Sequence, residues 1–198
     1  MSRSSLLQRT HWVFDLDGTL TVPQHDFDGM RRRLGLPMGV DLLTGLKQQG
    51  PDKEAEGLEV IAEWEWSLAD QARPQADAEA LLQRLRGSGA SLGVLTRNRR
   101  DVALRVLEVL GWSSWFDEVV GRDEAAPKPA PDGVQWWLDR WSVSPSMAVM
   151  VGDHPMDAAA GRAAGVATVW VRRQQGQRGE ADHVVDDLRH LWDRGFGG

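Results

Sequence analysis

Two aspartates separated by one residue, Asp15 and Asp17, lie in the segment DLDGTL (Asp15 to Leu20), directly after the apolar run Trp12-Val13-Phe14. Three further segments carry reactive residue types: VLTRN (Val94 to Asn98), PKPAPDG (Pro127 to Gly133) and VGDHPMDAAAG (Val151 to Gly161). Carboxylates at Asp15, Asp17 and Asp153 brought to one place repel, by about 4 kcal/mol for two charges 4 Å apart at an effective dielectric of 20. A hard dication such as Mg²⁺ relieves that repulsion, because it takes oxygen ligands from one or two carboxylates and from substrate phosphate. The Thr96 hydroxyl and the Lys128 ammonium complement a phosphate. A carboxylate not fully tied to metal can attack phosphorus, and a second one two residues on can exchange protons with leaving group and water.

Taken singly, each segment has a plainer explanation. Asp-x-Asp-Gly after a strand is a common turn, Thr96 suits a helix N-cap, Lys128 suits a proline-rich surface loop, and Gly-Asp-His-Pro suits a loop entering a helix. The joint occurrence, in order and at strand ends, favours the chemical reading. Lysine is also scarce: of 23 basic residues only Lys47, Lys53 and Lys128 are lysines.

The elements that must bring these residues together are legible from periodicity. Short apolar runs that end in turn signals read as buried strands: Trp12-Val13-Phe14, Ser91 to Thr96, Val119-Val120, Met147 to Val151, Ala167 to Val171 and His183 to Val185. Between them, helical spacing puts Leu81, Leu82 and Leu85 together in Ala78 to Arg86. It does the same for Val102, Val106 and Leu110 in Arg100 to Leu110, and for Val134, Leu138 and Trp141 in Asp132 to Trp141. Gly111 is the expected stop of the second of these helices. Strand–helix alternation of this kind predicts an α/β fold, a Rossmann-like and mainly parallel sheet with helices on both faces. Ligands of such sheets bind outside the carboxyl ends of the strands, which puts Asp15, Asp17, Thr96 and Asp153 on one rim with Lys128 in reach.

Residues 21–75 break the alternation. They show helical patterns and no clear strand, with the best helix at Lys53 to Ala72, where Ile61, Trp64 and Leu68 share a face. The expected organisation is a core of residues 1–20 and 76–198 with a small helical insert at 21–75, bracketed by Pro23 and Pro74.

Composition narrows the function classes. With 41% hydrophobic and 26% charged residues the 198-residue chain is an ordinary globular protein. No cysteine or tyrosine is present, so thiolate chemistry and disulfides are excluded and acid–base work falls to Asp, Glu, His or Lys. A net charge of -6 disfavours nucleic acid as a partner. No run reaches the roughly 18 apolar residues of a membrane span. Arg3 and Arg9 have only Leu6 and Leu7 between them as apolar residues, unlike a signal peptide. The expected location is the cytoplasm. His11 and His190 read as surface or packing residues and His154 as a turn residue. Trp137 and Trp141 read as core, and Trp136 as an exposed ring suited to a subunit contact.

The four segments closely resemble the motifs of the haloacid dehalogenase-like hydrolase superfamily, in its phosphoglycolate phosphatase-like branch, over about Trp12 to Leu191. Asp15, Asp17, Gly18 and Thr19 match its first motif, Thr96 its second, Lys128 its third, and Gly152, Asp153 and Asp157 its fourth. The resemblance implies that Asp15 attacks phosphorus and that Asp17 acts as acid and base. It implies Mg²⁺ held by Asp15, Asp153 and the Asp17 backbone carbonyl, with Asp157 supporting metal-bound waters. Thr96, Lys128 and the backbone N–H of Arg97 would hold the phosphoryl oxygens, and the insert would be the family's helical cap. The expected activity is a Mg²⁺-dependent phosphatase acting on a small phosphorylated metabolite, as a monomer or homodimer. The alternatives are a phosphomutase of the same superfamily, using His25 near the cap hinge, and a non-catalytic phospho-ligand-binding regulatory protein.

Overall fold

A computed structural model describes residues 6–172 and 180–191; Arg3 lies outside them. Its six strands are β1 (His11–Phe14), β2 (Ser91–Leu95), β3 (Glu118–Val120), β4 (Ala148–Gly152), β5 (Ala167–Val171) and β6 (His183–Val185). They form one sheet in the order β3-β2-β1-β4-β5-β6, and every neighbouring pair is parallel. Successive side chains of a strand point to opposite faces, so Trp12 and Phe14 enter one core while Val13 enters the other. The helices α4 (Ala78–Gly87) and α5 (Arg100–Val109) cover the first face. The helices α6 (Asp132–Trp141) and α7 (Pro155–Ala163) cover the second.

The chain runs from β1 outward through β2 and β3, then returns to the other side of β1 for β4, β5 and β6. The sheet order therefore reverses beside β1, and the crevice at such a reversal is where open parallel sheets bind ligands. Asp15 is the first residue beyond β1.

Residues 21–75 hold α1 (Phe27–Arg33), α2 (Leu42–Gln48) and α3 (Pro51–Ala69). These helices share a small apolar cluster of Met30, Leu36, Leu42, Leu46 and Ile61, separate from the two sheet cores. Gly57 lets α2 and α3 approach closely, since a Cβ there would run into Leu46. The chain leaves and re-enters the core side by side: Val22 N donates to the Arg73 carbonyl at 2.9 Å and Gln75 N to the Leu20 carbonyl at 2.8 Å.

Two expectations need adjustment. The buried stripe of α3 is Ile61, Ala62, Glu65 and Ala69, whereas Trp64 and Leu68 are half-buried. Trp136 is half-buried, edge-on to Trp137 and packed against the second core. Trp137 is fully buried, and Trp141 is half-buried with its indole N–H donated to Asp117. No helix among the described residues is long and apolar enough to cross a membrane.

Candidate active site

β1 stops at Asp15 because the next residues coil tightly. Leu20 N and Thr21 N both donate to the Leu16 carbonyl, and Gly18 N donates to that of Thr21. Gly18 has φ +88°, a left-handed conformation that costs glycine little. A Cβ at Gly18 would also strike the Asp153 carboxylate, so this glycine lets the loops after β1 and β4 touch.

Asp153 follows β4 and precedes α7, whose start is fixed locally. His154 is the N-cap, its Nδ1 accepting from Met156 N at 3.3 Å, Pro155 holds the first helical position, and Asp157 Oδ2 accepts from His154 N at 2.9 Å. This is a capping box built with His and Asp, so the turn reading of His154 is the one the fold uses. The indole N–H of Trp170 donates to the Asp153 carbonyl at 3.0 Å. Together these contacts set Asp153 and Asp157 against Asp15: one oxygen from each of the three lies within 4.8 Å of the others.

Lys128 is 3% exposed and faces two of these carboxylates, with Nζ 2.5 Å from Asp15 Oδ1 and 2.7 Å from Asp157 Oδ1. Nζ also donates to the Leu95 carbonyl at 2.8 Å, so all three of its protons have a partner. Burial works against the ammonium, but Asp15 and Asp157 outweigh it and its pKa lies above the usual lysine value. Burial pushes Asp157 up to about 6, with Asp15 adding to the rise and Lys128 and the His154 N–H opposing it. The Thr19 hydroxyl reaches Asp15 Oδ2 at 3.2 Å and Asp153 Oδ1 at 3.0 Å. Three carboxylates and one ammonium give this cluster a formal charge of −2 and an oxygen-rich lining, which fits a divalent ion.

Thr96 is buried at the end of β2, and its hydroxyl oxygen accepts from Asn98 N at 3.1 Å. The hydroxyl proton is thereby left for another acceptor on the rim.

The Asp17 carboxylate stands apart from the other three. Its Oδ2 accepts from Asn98 Nδ2 at 2.7 Å, its Oδ1 accepts from Thr21 Oγ1 at 3.4 Å, and His25 Nδ1 is 3.9 Å away. Burial raises its pKa, Asp15 adds to the rise, and His25, Asn98 and Thr21 oppose it. His25 is held in place by aromatic packing: its side chain is 7% exposed, stacked on Phe27 and edge-on to Trp64. A cavity of about 10 Å³ beside Asp17 is lined by Thr21, His25, Glu65, Leu68 and Asn98 among others. That is room for about one water.

The order of carboxylates, lysine and threonine along the sheet rim directs comparison to one family, and the sequence matches the haloacid dehalogenase-like hydrolases over residues 31–171. The chain belongs to that family. This haloacid dehalogenase-like hydrolase is 30% identical to a phosphoglycolate phosphatase of Xanthomonas campestris over 207 aligned positions, covering 91% of this chain and 94% of that one. It is 40% identical to pyrophosphatase PpaX of Bacillus velezensis over 91 positions, 46% of this chain and 42% of that one. A solved structure of a hydrolase from Pseudomonas syringae superposes with a TM-score of 0.79 at 21% identity, over 93% of this chain and 97% of that one, so the fold is shared.

Four residues at this rim escaped the sequence reading of the hydrolase. Asn98 binds Asp17 across 81 residues of sequence. Asp41, the N-cap of α2, pairs with Arg97 at 2.7 Å. Glu65 of α3 pairs with Arg122, in the loop after β3, at 2.8 Å, and both side chains are less than 10% exposed. Of these only Glu65 left a signal: it lies four residues from both Ile61 and Ala69, the spacing that shares a helix face.

Proposed function

We propose that this protein is a Mg²⁺-dependent phosphatase of small phosphate monoesters, acting through a phosphoryl group carried on Asp15. The observation that carries the reading is the Asp15 carboxylate at the sheet reversal, fixed by Lys128 and Thr19 and facing Asp153 and Asp157. The names of the relatives, a phosphoglycolate phosphatase and a pyrophosphatase, point the same way.

In this reading Asp15 attacks phosphorus, one P–O bond forms and the bond to the leaving alcohol breaks. Asp17 gives its proton to the leaving oxygen. It then takes a proton from water as that water attacks phosphorus, and cleavage of the Asp15–phosphorus link restores the carboxylate and releases phosphate. Lys128 and Thr96 neutralise and hold the phosphoryl oxygens, with the Arg97 N–H. Asp15, Asp153 and the Asp17 carbonyl would hold Mg²⁺, which supplies charge for the phosphoryl oxygens. Both Asp157 oxygens are engaged by Lys128 and the His154 N–H, which suits an outer role. The helical insert acts as the cap: it stands over Asp17 through Glu65 and Leu68 and screens the Asp15-bound phosphoryl group from stray water.

Asp15→Asn should abolish aryl phosphate hydrolysis while the circular dichroism spectrum stays native. A variant retaining appreciable turnover sinks the nucleophile assignment, and a wild type without turnover leaves only the phospho-ligand binder. One observation favours the mutase alternative, the burial of His25 beside Asp17. Product analysis with a sugar bisphosphate decides between release of phosphate and its return to the sugar.

A further inference from the structure

The chemistry above uses only the backbone of Arg97. Its side chain runs from the turn after Thr96 to groups on two other elements. Nη2 lies 2.7 Å from Asp41 Oδ2, Nη1 lies 3.5 Å from the Met156 sulfur, and Nε is buried with no hydrogen-bond partner. The guanidinium thus sits between the N-cap of α2 and the first turn of α7. His154, the N-cap of α7, links this turn to Asp153 along the chain.

A guanidinium carries five donors in a planar fork that matches the two oxygens of a carboxylate or phosphate. Among the described residues the only charged acceptor here is a single Asp41 oxygen, the thioether is a weak acceptor, and Nε has none. The pair is also partly open to solvent, with Arg97 28% and Asp41 23% exposed, and exposed pairs hold weakly. The buried Glu65–Arg122 pair differs, because one Arg122 nitrogen reaches both Glu65 oxygens at 2.8 Å and the Arg97 carbonyl at 3.2 Å. It reads as a structural join between the insert and the core.

We propose that the Arg97 side chain reads a second anionic group on the substrate and that Asp41 is the internal anion this group displaces. The proposal rests on the phosphatase reading and narrows it to monoesters with a carboxylate or second phosphate a few atoms from the reacting phosphoryl group. Neutral-tailed esters would leave Asp41 in place and Nε without a partner.

The test compares kcat/KM for 2-phosphoglycolate, ethylene glycol bisphosphate and ethyl phosphate in the wild type, Arg97→Gln and Asp41→Asn. Asn caps a helix as well as Asp, so Asp41→Asn keeps the start of α2 while removing the competing charge. The wild type should prefer at least one anionic-tailed ester over ethyl phosphate by about tenfold or more, the scale of a charge-assisted hydrogen bond. Which one it prefers distinguishes carboxylate from phosphate. Arg97→Gln should cut that preference about tenfold, and Asp41→Asn should raise it severalfold. Variants that leave the preference unmoved, or shift all three esters by one factor, overturn the proposal and make the pair a latch only. If Arg97→Gln does not fold, Asp41→Asn decides alone on the same criterion. If the wild type turns over neither these esters nor an aryl phosphate, the phosphatase reading fails. Calorimetric binding of phosphoglycolate against ethyl phosphate then judges Arg97 separately, and equal affinities in wild type and variant overturn it.

Discussion

At the scale of single residues, the two aspartates of DLDGTL differ because their partners differ. Asp15 faces an ammonium and a hydroxyl, whereas Asp17 faces an amide, a hydroxyl and an imidazole in a pocket that favours its protonated form. A leaving alkoxide needs that proton far more than a leaving phenolate does. Asp17→Asn should therefore slow ethyl phosphate hydrolysis by about 10²–10⁴, the usual worth of a placed acid–base, and slow aryl phosphate hydrolysis less. Equal losses on the two substrates would remove Asp17 from the acid role. The residue types of this division were legible in the sequence, since Asp15, Asp17, Thr96, Lys128, Asp153 and Asp157 are of the kinds that bind metal or phosphate. Asn98 was not, because its use depends on a hydrogen bond to a loop 81 residues away. Nothing local separates such an asparagine from a turn residue.

At the scale of elements, the six strands were legible because buried parallel strands are short unbroken apolar runs. Helix α3 was legible as a helix but not in the identity of its buried face. Glu65 lies in that face and is made tolerable by Arg122, 57 residues on, which the pattern of apolar residues does not record. Burial raises Glu65 from the ordinary 4.5 to about 7, with Arg122 and the Arg99 N–H opposing and Asp17 assisting. The sign of the consequence follows from proton counting. Between these values the folded chain holds a proton that the unfolded chain has released, so stability is lost as pH rises from about 4.5 to about 7. The full swing is on the order of 3 kcal/mol. Glu65→Gln removes it. The melting temperature of the wild type relative to Glu65→Gln should fall as pH is raised from 5 to 8, and a constant difference across that range refutes the buried-carboxyl assignment.

At the scale of the whole molecule, the carboxylate cluster that could hold a metal joins segments that are distant in sequence, Asp15 after β1 and Asp153 and Asp157 around the start of α7. A ligand that binds the folded chain alone stabilises it by mass action. Adding Mg²⁺ after chelation should therefore raise the melting temperature and restore phosphatase activity together. Asp153→Ala should lose most of both responses, and full activity in excess chelator contradicts the site.

The same connectivity bears on how fast the chain folds. Phe14 pairs with Val94, 80 residues along, and closing so long a loop is slow because its entropy is spent before the strands reward it. The hydrogen bond of Gln75 to Leu20 short-circuits most of that span. If the insert forms first, the loop left to close shrinks to about 25 residues, a saving of about 1 kcal/mol, or roughly fivefold in rate. Ile61→Ala weakens the insert's own apolar cluster without touching the sheet. It should slow refolding as well as speed unfolding in stopped-flow measurements, and an unchanged refolding rate would mean that the insert joins only after the sheet has closed.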